Sequence, residues 1–168
     1  MSATTLRANS TSGVITFRAG TDDDYDFQRR LYHDVRAEEM RHFPFDDVQK
    51  AVFLDWQFDC QWKHYREHYP TCDWRIVMRD GQPIGRLLVD RWPDQIRIVD
   101  IALLSSARGN GIGSTLMHEI LEEGRRSGKA VTIHVEVFNP AQRLYRRLGF
   151  KQIDTSGAYH LMRWSPLT

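Results

Sequence analysis

The sequence is short of several things, and each shortage removes a class of protein. Cysteine occurs only twice in 168 residues, at Cys60 and Cys72, too few and too unpatterned for a disulfide framework or a zinc ribbon. Free thiols point to a reducing compartment and hence to a cytoplasmic location. No apolar run approaches the roughly 20 residues a membrane span requires. The N-terminal stretch, rich in Ser, Thr and Asn, lacks the apolar region of a secretory signal. Excess charge is also missing, because 23 basic and 22 acidic side chains leave a formal charge of +1. Such a balance gives no general attraction to nucleic acid or to an anionic membrane, so any anion site must be local. Neither an internal repeat nor a linker interrupts the chain. Residues 1–13 are expected to form a flexible tail and residues 14–166 one α/β domain.

What is present is a regular alternation of strand and helix signals. Val14 to Arg18 alternates apolar and polar residues, as a strand does. Thr21 before Asp22, Asp23 and Asp24 reads as a helix cap with negative charge in the first turn, and Phe27, Leu31 and Val35 set one apolar stripe on that helix. Asp46 can cap a second helix that ends before Pro70. It carries Phe53, Trp56, Phe58, Trp62, Tyr65 and Tyr69, more aromatics than one buried stripe needs. Core packing accounts for most of them, and the excess is a reason to place a substrate wall here. His64 to His68 matches a His-x-x-Glu-His pattern of zinc hydrolases, yet no carboxylate downstream completes a metal site, and no metal is expected.

Trp74 to Arg79 and Ile84 to Asp90 read as a hairpin about Asp80-Gly81. Gln95 to Leu104 is a long strand, 112–127 a helix ended by Gly128, and Val131 to Val137 another strand. Asn139-Pro140 looks like the start of a short helix with apolar Leu144, Tyr145 and Leu148, and Phe150 to Ile153 with Tyr159 to Trp164 closes the chain as a hairpin.

The most informative stretch is Arg108-Gly109-Asn110-Gly111-Ile112-Gly113, followed by Ser114, at the junction of the long strand and its helix. Three glycines let the backbone approach a ligand and aim N–H groups inward, and the helix start adds unpaired donors and the positive end of its dipole. That combination is a cradle for an anion such as a pyrophosphate. The Gly-Lys-Ser/Thr ending of nucleotide hydrolases is absent, and so is the glycine spacing of the dinucleotide fingerprint.

The Arg-x-x-Gly-x-Gly pattern after Ile101-Ala102-Leu103-Leu104 resembles the acetyl-CoA loop of the GNAT superfamily of N-acyltransferases. Asn139-Pro140-Ala141-Gln142-Arg143-Leu144-Tyr145-Arg146-Arg147-Leu148-Gly149-Phe150 resembles that superfamily's second hallmark, in the family's order. The spacing departs in one respect. Asn139 and Tyr145 lie six steps apart, where many members have seven, so Leu144-Tyr145 and Leu148-Gly149-Phe150 anchor Tyr145 better than Asn139, which serves equally well as a helix cap.

The resemblance implies a mixed, mostly antiparallel central sheet flanked by helices, with a splay between the strand ending at Leu104 and the strand ending at Val137. Acetyl-CoA is then the cosubstrate. Its pantetheine arm would pair with backbone groups of Ile101 and Leu103, its pyrophosphate would lie against Arg108, Gly109, Asn110, Gly111, Ile112, Gly113 and Ser114, and Asn139 and Tyr145 would complete the contact. Tyr145 would protonate the departing thiolate. For proton removal from the amine, Asp100 is the leading candidate, because a carboxylate inside Ile98-Val99 and Ile101-Ala102-Leu103 is either desolvated or held by a specific partner. Glu136 and a water chain are its rivals. The acceptor is expected to be a primary amine of a small molecule or peptide, with a homodimer left open and with a non-catalytic acetyl-CoA-binding module as the alternative.

Overall fold

The computed structural model describes residues 5–6 and 13–167. Eight strands form one sheet: β1 (Thr5–Leu6), β2 (Ile15–Ala19), β3 (Asp73–Arg79), β4 (Gln82–Arg91), β5 (Gln95–Leu103), β6 (Ala130–Glu136), β7 (Lys151–Ser156) and β8 (Tyr159–Trp164), in the order β1-β2-β3-β4-β5-β6-β8-β7. Four helices accompany them: α1 (Tyr25–Met40), α2 (Asp47–His68), α3 (Ile112–Ser127) and α4 (Gln142–Arg147). Every strand pair is antiparallel except β5 with β6, which needs a crossover, and α3 supplies it. Of the stretch expected to be a tail, Thr5–Leu6 pair with Thr16 and Ile15, Gly13 precedes β2, and the rest lies outside the described residues.

Local chemistry sets the element ends. Asp46 accepts the Gln49 N–H while the Gln49 side chain accepts the Asp46 N–H, a closed capping box that starts α2. Thr21 makes the corresponding box with Asp24, but over a single 3-10 turn, so α1 begins only at Tyr25. At the β3–β4 hairpin, Asp80 (φ 49°) and Gly81 (φ 80°) are both left-handed, the geometry that matches strand twist. The short helix α4 begins later than expected, at Gln142. Asn139 and Pro140 lie in the preceding turn, where Asn139 Oδ1 accepts the Ala141 N–H at 2.9 Å.

Two cores lie on opposite faces of the sheet. On one, Ile112, Leu116, Met117, Ile120 and Leu121 of α3 pack on Ile96, Ile98, Val131, Ile133 and Val135. On the other, Phe27 and Leu31 of α1 meet Ile76, with Met78, Ala102 and Leu104 around them. α2 rests on α1 through Tyr32, Met40, Leu54 and Phe58. Each fully buried side chain of this size contributes roughly 1.5–3 kcal/mol. Val35 does not extend the α1 stripe as expected, being 40% exposed.

Within β5 one residue has no counterpart. Val89 pairs with Ile98 and Leu88 with Asp100, so Val99 is a bulge. Ile96 and Ile98 before it, and Ile101 and Leu103 after it, all join the core beneath α3. Arg86 and Ala102, and likewise Leu88 and Asp100, are direct cross-strand partners. Asp100 and Ala102 therefore face α1 and α2.

Candidate functional site

The site begins where two strands separate. β5 and β6 pair only from Gln95 with Ala130 to Ile98 with Ile133, so residues 99–103 present an edge with no β6 neighbour. On the other side of β5, the Leu104 N–H bonds to the Ile84 carbonyl at 2.8 Å. Alternation along the strand then turns the N–H groups of Ile101 and Leu103 toward the open side. Gly85 keeps β4 close here, since a Cβ at that position would lie 2.3 Å from the Ala102 carbonyl oxygen. The parting leaves a slot with a hydrogen-bonding wall.

At the end of that wall the glycine loop turns. Gly109 (φ 80°) and Gly111 (φ 75°) are left-handed, and a Cβ on either would meet nothing within 4 Å. These glycines are therefore required by backbone angle rather than crowding, and the space around them is open. The first helical bond of α3 runs from the Thr115 N–H to the Gly111 carbonyl at 3.0 Å. The N–H groups of Ile112, Gly113 and Ser114 precede it and form the positive end of a helix of 16 residues. Ile112 itself is core, 1% exposed, so only its backbone serves this surface. Asn110 stands between the two left-handed glycines. Arg108 is already engaged: its Nε donates to the Leu103 carbonyl at 3.1 Å and its Nη2 lies 3.7 Å from Asp34. Asp34 in turn accepts the Ser105 N–H and hydroxyl at 2.6 and 2.8 Å, tying α1 to the loop. A row of backbone donors beside an open strand edge fits a pyrophosphate with an amide-bearing arm.

On the face of β5 turned to α1 and α2, and on α4 beyond the slot, the polar groups are side chains. Asp100 is held rather than merely desolvated, with Arg86 Nε and Nη2 both 2.5 Å from its Oδ2. Arg86 also donates to Gln28 Oε1 on α1 at 3.3 Å and to Gln61 Oε1 on α2 at 2.6 Å. Tyr145, on α4, is buried with its ring 5.9 Å from that of Phe150. Burial first, and the Asp100 charge second, push its phenol up to about 12. Burial and then the same carboxylate also push the Tyr65 phenol well above its usual range. Asp100, Tyr145 and Tyr65 thus share one electrostatic neighbourhood, and both phenols stay protonated at neutral pH.

Other expected groups lie elsewhere. Glu136, at the end of β6, is bound by Arg36 of α1 at 2.9 Å. Asn139 spends its carbonyl oxygen on its own turn. Of the six aromatics singled out on α2, Trp56 is exposed, Phe58 is core, and Tyr65 reaches the polar centre through Arg86, whose guanidinium carbon lies 5.9 Å from its ring. His64 and His68 stack at 4.1 Å, and among the described residues no group of three metal-ligating side chains gathers. Sequence reasoning missed Arg86, Gln28 and Gln61. Arg86 carries the same signal that marked Asp100, a charge inside an apolar strand, here between Ile84 and Leu87-Leu88-Val89.

Comparison with known proteins agrees with this geometry. A family model described as the acetyltransferase (GNAT) family matches residues 29–150. The [ribosomal protein bS18]-alanine N-acetyltransferase of Haemophilus influenzae is 24% identical over 113 residues, covering 67% of this chain and 75% of that protein. The aminoalkylphosphonate N-acetyltransferase of Salmonella typhimurium is 26% identical over 149 residues, covering 83% and 86%. Among solved structures, the PaiA N-acetyltransferase of Thermoplasma acidophilum in complex with coenzyme A superposes with a TM-score of 0.68 at 15% identity, over 90% of this chain and 98% of that one. The chain belongs to the GNAT family.

Proposed function

We propose that this member of the GNAT family transfers an acetyl group from acetyl-CoA to a primary amine by direct attack, with Asp100 as proton acceptor and Tyr145 as proton donor. The observation that carries the reading is the parting of β5 from β6 beyond Ile98 and Ile133, with the glycine loop at its end, Asp100 on the α1–α2 side and Tyr145 packed with the core beneath α3. Bound acetyl-CoA would supply an activated thioester. The open edge at Ile101 and Leu103 would hold its arm, and the N–H groups from Gly109 to Ser114 its pyrophosphate.

Three tasks fall to the chain. An alkylamine with a pKa near 10.4 is neutral in only about one molecule in 2,500 at pH 7, so a proton must leave before attack. Asp100 Oδ1, which accepts no hydrogen bond from the described residues, is the group offered for it. Charge developing on the carbonyl oxygen needs a donor, and the Leu103 N–H on the open edge supplies one. The departing sulfur needs a proton, and the Tyr145 hydroxyl, which donates to no acceptor among the described residues, retains its own up to about pH 12. Atoms balance: the ammonium gives one proton to the carboxylate, which passes it to solvent; the C–N bond forms as the C–S bond breaks; the phenol protonates the departing thiolate, and the second proton lost by the nitrogen restores the phenol.

The acceptor is a small-molecule or peptide amine, and two free thiols fit a cytoplasmic setting. Thiol release from acetyl-CoA, followed with a panel of primary amines that includes alanine-initiated peptides and aminoalkyl compounds, tests the reading. Amine-dependent release with N-acetyl product supports it. Tight acetyl-CoA binding with no release for any amine would instead favour a non-catalytic module.

A further inference from the structure

The polar centre beneath the slot is more elaborate than a surface ion pair. Arg86 is 5% exposed and Asp100 21%. Both donors that Arg86 offers Asp100 converge on Oδ2, leaving Oδ1 without a hydrogen-bond donor among the described residues. The remaining reach of the guanidinium goes to two different helices, through Gln28 of α1 and Gln61 of α2. A guanidinium presents five N–H donors in a rigid fork, so it can place two on one carboxylate oxygen and still reach two further partners, four contacts where an ammonium has three donors. The Gln28 Nε2 group is buried without a partner among the described residues, a cost that apolar packing would avoid. Buried ion pairs are often no more stabilising than well-packed hydrophobic residues. Stability alone is therefore a poor account of this network.

Resting on the reading of Asp100 as proton acceptor, we infer that Arg86 is a positioning residue for acetyl transfer. It pins Oδ2 so that Oδ1 faces the slot, and through Gln28 and Gln61 it makes that orientation depend on how α1 and α2 are seated. β4, β5 and the two helices on the acceptor side thus meet at one side chain. The titratable or charged groups facing Asp100 are Arg86 from β4, Tyr65 from α2, Tyr145 from α4 and, more remotely, Cys72 ahead of β3. Burial first, and nearby carboxylates after it, push the Tyr65, Tyr145 and Cys72 groups upward, away from the acid range.

The test compares Arg86→Gln, Asp100→Asn, their double variant and Gln61→Ala with the intact protein, using its best amine. Turnover against pH, acetyl-CoA affinity by calorimetry and thermal melting are measured for each. Asp100→Asn should lower turnover about a hundredfold and remove the acidic limb. Arg86→Gln should lower turnover about 10- to 100-fold, move that limb to higher pH, and leave acetyl-CoA affinity within about threefold, because a carboxylate loses its cation while the glycine loop is untouched. The double variant should be no slower than Asp100→Asn, since residues acting as a unit are non-additive. Gln61→Ala, on a half-exposed helix face, should shift the limb the same way by less and carries the test if Arg86→Gln does not fold. If Asp100→Asn removes the limb while Arg86→Gln or, in its place, Gln61→Ala keeps both limb and turnover, the inference fails and the function stands. An unchanged limb and full turnover in Asp100→Asn would sink both.

Discussion

The two sides of the slot are made of different material. On the side of the glycine loop, the groups proposed to meet a ligand are backbone N–H groups, those of Ile101 and Leu103 and those of the turn from Gly109 to Ser114, all within 14 positions of the chain. On the α1–α2 side they are side chains from four elements, with Gln28, Gln61 and Asp100 lying 58, 25 and 14 positions from Arg86. A backbone surface needs only glycines at the right dihedrals and tolerates change in most side chains around them. A side-chain surface depends on identity at every position, and it is there that one member of a family can differ from another in what it accepts.

The sharpest way to break this contrast is at Tyr145, where the two sides meet. Tyr145→Phe keeps the ring against Phe150 but removes the hydroxyl, so turnover should fall about one to three orders of magnitude with acetyl-CoA affinity nearly unchanged. Steady-state rates with a second acyl donor, whose leaving thiol is more acidic, should show a smaller loss. Equal losses with both donors would reduce Tyr145 to packing.

On the backbone side, Gly111→Val forces a β-branched residue into a left-handed conformation that costs roughly 1–2 kcal/mol or more. Calorimetry should show acetyl-CoA affinity down about 10- to 100-fold at that position, whereas Ser114→Ala, which keeps its N–H, should change it less than about threefold. If Ser114→Ala proves as harmful, the loop works through side chains and the contrast collapses.

The smallest effect expected is in alkaline stability. The Tyr145 phenol is pushed from 10.0 to about 12 in the folded chain, so between those values the native state holds a proton that the unfolded state has released. Stability contributed this way is complete below pH 10 and is lost as pH rises toward 12, by about 2–3 kcal/mol at most. Tyr25, raised to about 12 chiefly by its hydrogen bond to Asp59, loses its proton over the same window. Melting curves from pH 9 to 12 should therefore fall less steeply in Tyr145→Phe, without becoming flat.

The same division explains what could be read in advance. Gly109, Gly111, Gly128 and the Asp80-Gly81 turn announce themselves, because a required dihedral restricts residue type locally. Asp46 with Gln49 is equally plain, being a reciprocal bond over three positions. Asp100 and Tyr145 are proposed from a charge inside an apolar strand and from a motif. Arg86 escaped despite the same signal, because nothing local says that Gln28 and Gln61 will arrive beside it. Val35 was misplaced since periodicity gives a stripe but not how much of it the sheet covers, and the start of α4 shifted because Asn139 bonds its own turn before the helix begins.

The bulge at Val99 does more than bend a strand. In β5 the residues under α3 are even-numbered before it and odd-numbered after it, so this single insertion changes the parity of the strand. If the register of Val89 with Ile98 simply continued, Asp100 would stand opposite Leu87 and point into the apolar core beside α3, while Ile101 would face Arg86. The polarity of the proposed reaction centre is thus stored in a count of residues. Replacing Val99 by another residue preserves that count, and deleting it would leave Asp100 opposite Leu88 in a regular ladder; only pairing Val99 into the ladder would exchange the two faces.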